Sequence, residues 1–133
     1  MKVVIIFALL MMNLCSFAQK AFEFEYYYGK TKNFEIKLSL ANGYIMGSEI
    51  IKTDLTTNKR IKYFLKDLPE EKLQSITFLP DSMDRGVIRR KRDHIILFKM
   101  DDEYDILPQK IDGVIGLDLK TYRFRLYKQK SSH

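Results

Sequence analysis

Phe34, Ile36, Leu38 and Leu40 alternate with Glu35, Lys37 and Ser39, and Asn42-Gly43 follows at once. Period-two alternation puts all the apolar side chains of an extended segment on one face. Asn-Gly supplies the two positive-φ residues that the tightest hairpin turn needs. Together they predict a β-hairpin whose return strand starts at Tyr44. A two-residue turn sets Leu40 opposite Ile45, Leu38 opposite Gly47, Ile36 opposite Glu49 and Phe34 opposite Ile51.

The same rhythm recurs along the chain. Phe22, Phe24, Tyr26 and Tyr28 alternate with Glu23, Glu25 and Tyr27, which predicts a strand with Tyr27 on the exposed side. A turn at Thr56-Thr57-Asn58-Lys59 leads into a strand where Ile61, Tyr63 and Leu65 share a face. Asp67-Leu68-Pro69-Glu70-Glu71 has the proline and acids of a helix start, cut short by the strand composition of Ile76 to Leu79. Asp81 to Gly86 reads as a loop, and Val87-Ile88 and His94 to Met100 as strands around a basic turn. Asp101-Asp102 turns the chain into a strand from Tyr104 to Leu107, and Gly113 and Gly116 break the apolar run between Pro108 and Lys120. Tyr122, Phe124 and Leu126 alternate with Arg123, Arg125 and Tyr127 in a final strand. The expected fold is mainly β, an antiparallel meander of about seven to nine strands with one short helix, closed as a small barrel or folded as a sandwich. The alternative is an α+β open sheet packed on one helix. No connection has room for a βαβ crossover.

The start of the chain reads as an address. Met1-Lys2, an apolar run from Val3 to Met12 and small residues at Ser16 and Ala18 have the three regions of a secretory signal peptide. The run is short for a membrane span, and Asn13 interrupts it. Leu14 before Cys15 is large where a lipoprotein signal wants a small residue. Cleavage after Ala18 leaves one domain, residues 19–133, exported to the periplasm or secreted. That mature chain of 115 residues carries 22 basic and 17 acidic groups, a net of +5, and lacks the only Cys. It folds without a disulfide, on an ordinary core.

Composition argues against most catalysis. Without a mature Cys, a G-x-S-x-G segment or a second internal His besides His94, nucleophilic chemistry has no sequence support, and no cofactor is implied. Glu49 is the one carboxylate that the expected hairpin register sends to the apolar face, where desolvation would raise its pKa and suit it to acid-base hydrolysis. A β-bulge at Gly47 would instead turn Glu49 to solvent and Ile50 inward. Asp101, Glu103 and Asp105 have calcium-loop spacing, with Asp112 at the last ligand position, yet Ile106 stands where the loop needs glycine. An acidic hairpin tip accounts for them more simply.

The basic groups are more suggestive. Arg89-Arg90-Lys91-Arg92 is dense, and Arg123, Arg125 and Tyr127 share one face of the last strand. Arg and Tyr are both enriched at protein-interface hot spots. The leading expectation is therefore a non-catalytic module that binds a protein partner, in the manner of an inhibitor, immunity or envelope accessory protein. Its contact residues are Arg89, Arg90, Arg92, Arg123, Arg125 and Tyr127. An anionic glycan or lipid surface is a further possible partner, and nucleic acid is not expected. Two other expectations stand beside it: a small barrel carrying an apolar ligand, and a hydrolase using Glu49.

Overall fold

The computed structural model describes residue 5 and residues 23–66, 75–81, 93–101 and 103–130. Eight strands follow one another: β1 (Phe24–Lys30), β2 (Phe34–Ala41), β3 (Glu49–Asp54), β4 (Arg60–Leu65), β5 (Ser75–Pro80), β6 (His94–Phe98), β7 (Lys110–Leu117) and β8 (Lys120–Lys128). Each pairs antiparallel with the next, and β8 returns to β1 through Tyr27 opposite Lys128 and Tyr28 opposite Tyr127. The meander closes as a barrel, which excludes the sandwich and the open sheet. The expected helix near Asp67–Glu71 and the Val87-Ile88 strand lie outside the described residues.

Eight strands enclose a space that side chains can fill. Tyr27, Ile36, Leu38, Leu40, Ile50, Tyr63, Phe78, Ile95, Leu97, Ile115 and Leu126 occupy it and are fully buried. The outer wall carries Glu35, Lys37, Lys62, Asp112, Arg123 and Arg125 at its strand positions. Apolar inside and charged outside is the reverse of a transmembrane barrel, whose lipid-facing band must be apolar.

The Asn42-Gly43 hairpin differs from its sequence reading. Observed pairs are Leu38 with Ile50, Ile36 with Lys52 and Phe34 with Asp54. Only Gly43 takes a positive φ, +86°, and Tyr44 N–H donates to the Ala41 carbonyl at 3.3 Å. This is the pattern of a type II turn, which does not match the twist of two paired strands. The chain therefore continues through a 3-10 turn, Ile45–Gly47. That turn buries Ile45 and lets the Ser48 hydroxyl accept the Ala41 N–H at 2.9 Å. β3 then starts at Glu49 rather than at Tyr44. Glu49 lies opposite Ser39 and Phe64 on the outer wall, so the apolar-face premise of a Glu49 hydrolase is overturned. Ile50 does point inward, through the longer loop and not through a bulge at Gly47.

β1 is reversed as well. Tyr27 is 1% exposed and faces Leu38, while Phe24 and Tyr26 stand outside. Gly29 and Glu25 explain the choice. A Cβ on Gly29 would collide with the Arg125 carbonyl and the Leu126 side chain, so only glycine lets β1 approach β8 here. Glu25 shares the inward phase with Tyr27 and meets Lys128 at 3.8 Å, each only about a quarter exposed. The Tyr27 hydroxyl donates to the Pro108 carbonyl at 2.8 Å. Burial, followed by Glu25 and Tyr104, pushes its pKa up to about 12.

Two further expectations change. Tyr104 to Leu107 is not a strand but part of an irregular loop before β7. Gly113 and Gly116 do not break β7; they lie within it, one making room for Phe124 inside and the other for the His94 ring outside.

Candidate functional site

β7 and β8 form the most extensively paired hairpin of the barrel, and their register builds an ordered outer surface. Lys110 lies opposite Tyr127, Asp112 opposite Arg125 and Val114 opposite Arg123. Cross-strand neighbours on one face are the contacts that such a sheet can make. Asp112 and Arg125 use theirs: Nε donates to Oδ1 at 2.6 Å and Nη2 to Oδ2 at 3.5 Å. The guanidinium holds the Asp112 carboxyl below the usual carboxylate range, and the carboxylate raises the arginine in return. The Lys110 ammonium sits 5.9 Å from the centre of the Tyr127 ring, within cation–π range.

The sequence reading that set Arg123, Arg125 and Tyr127 on one face matches their placement on the outer wall of β8. Arg89, Arg90 and Arg92 lie outside the described residues. Asp93, next to that run in the sequence, is buried, and its Oδ1 accepts the Asp118 N–H at 3.4 Å in the β7–β8 turn. The residue following the basic run is thus tied to the β7–β8 turn.

Sequence reasoning missed what surrounds these side chains. Phe98 on β6, with Val114, Asp112, Arg123 and Arg125, borders an open groove of about 580 Å³ over the backbone of Gly113 and Phe124. On the other side of Tyr127, β1 presents Tyr28 as its direct neighbour and then Tyr26, which is 56% exposed. Tyr28 is oriented by Glu35, whose carboxylate accepts its hydroxyl proton at 2.9 Å. Tyr127 itself is 49% exposed. The signal for this aromatic neighbourhood was present in Tyr26-Tyr27-Tyr28, but it depended on which phase of β1 faces out.

Other candidates are placed differently. His94 is half-buried and covers Gly116 on the outer wall, where it has interactions of its own. Among the described residues, no three His, Cys, Asp or Glu side chains come together to hold a metal ion, and Asp112 is engaged by Arg125. Lys52, unremarked in the sequence, points into the barrel beside Ile36 and Ile61 and is 4% exposed. Tyr27, Tyr63, Phe78 and Phe124 belong to the apolar core inside the barrel.

Comparison with family models, with curated proteins and with solved structures found no match.

Proposed function

We propose that the chain is an exported, non-catalytic binding module that recognises a protein partner through the outer wall of β7, β8 and β1. The observation that carries this reading is the contiguity of exposed Tyr127 with Tyr26 and Tyr28 on one side and with Arg125 and Arg123 on the other. Tyrosine gives a large contact area for little side-chain entropy, and arginine gives directional hydrogen bonds. Here both kinds are already oriented, by Glu35, Asp112 and Lys110, so less ordering is left to occur on binding. The closed barrel supports the same reading, because a rigid wall presents side chains at fixed spacing.

The test is site-specific photo-crosslinking in the source cell. A benzophenone side chain at Tyr127 should trap one discrete protein, whereas the same group at Lys62 on the opposite wall should not. Reversing Arg123 and Arg125 to Glu should abolish the Tyr127 adduct in a folded protein. Equal trapping at both positions, or an adduct indifferent to the reversal, would overturn the reading.

A further inference from the structure

Resting on that partner-binding reading, we infer that the groove between Phe98 and Arg123 receives an acidic segment of the partner protein, one carboxylate against Arg123 and an adjacent apolar side chain on Phe98 and Val114. Two arginines face the groove, and their situations differ. Arg125 is held by Asp112 through two hydrogen bonds. Arg123 lies opposite Val114, which offers no charge, and among the described residues no carboxylate forms an ion pair with it. A guanidinium presented beside an apolar wall suits a planar anion, which it can bind in bidentate fashion.

The remaining features point to a peptide rather than to a sulfated glycan or a lipid headgroup. Phe98 is 41% exposed at the groove's margin, and an aromatic wall next to a cation matches an acidic residue with an apolar neighbour. Residues 110–128 carry five basic side chains, Lys110, Lys120, Arg123, Arg125 and Lys128, against Asp112 and Asp118, and this excess of positive charge on the hairpin steers an acidic chain to it. β8 is hydrogen-bonded to β7 on one side and joins β1 on the other, so recognition falls to side chains on the wall and not to addition of a strand.

Asp112 then acts as a selectivity element, because it keeps Arg125 from taking a second carboxylate. This gives substitutions of opposite sign. The folded protein, labelled with nitrogen-15, is titrated with a capped peptide of alternating aspartate and phenylalanine, with its asparagine analogue, and with a sulfated oligosaccharide. The acidic peptide should move the amide signals of Phe98, Val114 and Arg123. The asparagine analogue and the Arg123→Gln variant should each weaken binding roughly tenfold, the scale of one charge-assisted hydrogen bond. Asp112→Asn should tighten it several-fold by releasing Arg125. Equal binding of both peptides, weaker binding by Asp112→Asn, or a response to the oligosaccharide alone would overturn the assignment. If crosslinking at Tyr127 persists after such a result, only the groove's occupant is wrong; if it too fails, the partner-binding reading goes with it.

Discussion

Gly113 faces Phe124 across the β7–β8 ladder, and the aromatic ring occupies the volume that any side chain at 113 would need. A Cβ there would lie 2.5 Å from Phe124 Cζ and 2.9 Å from the Ile96 carbonyl oxygen. The ring could rotate away, but the carbonyl belongs to the β6 ladder and cannot. Gly113→Ala should therefore destabilise the barrel by about 1–3 kcal/mol, the usual range for overpacking. Adding Phe124→Leu should recover part of that loss and not all of it, since only the ring clash is relieved. Denaturant midpoints of the two variants check this, and full recovery would mean that the β6 backbone yields.

Tyr27 links the interior to alkaline pH. Its hydroxyl donates to the Pro108 carbonyl, and its pKa in the fold is pushed up to about 12 from the ordinary 10.0. The group is neutral when protonated, so the fold favours the phenol over the phenolate. Its contribution is complete below the unfolded value and is lost as pH rises from that value through the folded one. Stability should fall over this alkaline window, and Tyr27→Phe should flatten the fall while costing about 1 kcal/mol at neutral pH through the lost hydrogen bond. Denaturant unfolding at a series of alkaline pH values, with tyrosinate absorbance followed in parallel, measures both effects.

Much of the architecture could be read locally because one phase of the strand was plainly more apolar. In β2, β4 and β8 the inward residues were those that alternation picked out, and the outward placement of Arg123, Arg125 and Tyr127 came with them. β1 defeated the same rule because both phases carry aromatics. Local hydrophobicity favoured Phe24, Tyr26 and Tyr28, but Gly29 against the Arg125 carbonyl and Glu25 against Lys128 decide otherwise. Those partners lie about a hundred residues away along the chain. The glycines of β7 were misread for a related reason: their roles are set by Phe124 and His94 on neighbouring strands. The groove combines all three strands, β6, β7 and β8, so no single segment of sequence could announce it.

Asn42 provides a clasp between two loops at one end of the barrel. Its Oδ1 accepts the Tyr104 N–H at 2.9 Å and its Nδ2 donates to the Tyr104 carbonyl at 3.3 Å. The two bonds satisfy a backbone unit in an irregular loop that has no strand partner there. Asn42→Ala should cost about 1–2 kcal/mol, because each lost bond is worth roughly 0.5–1.5 kcal/mol. Asn42→Asp should be the more informative variant, since a carboxylate keeps the bond from the Tyr104 N–H and loses the one to its carbonyl. Amide hydrogen exchange at Tyr104 should accelerate in the alanine variant and much less in the aspartate one. Equal acceleration in both would place the clasp in the Nδ2 bond alone.

Asp54 governs the β3–β4 turn and gives it a dependence on acid. Its Oδ1 accepts the N–H groups of Thr56 at 2.8 Å and Thr57 at 3.0 Å, and Asn58 completes the turn with φ of 57°. The Thr57 and Thr56 amides hold its carboxyl below the ordinary value, with a smaller contribution from the charge of Lys52. Because the folded pKa is lowered, the stabilisation is present above the unfolded value and is lost as pH falls through the folded one. Acidification should therefore loosen this turn while the carboxylate is being protonated. Asp54→Asn should remove that acid sensitivity, since the amide oxygen can still accept both N–H groups and does not titrate. Amide chemical shifts of Thr56 and Thr57 followed down a pH series read the carboxyl directly, and a midpoint at or above the ordinary aspartate value would show that the two bonds do not favour the charged form.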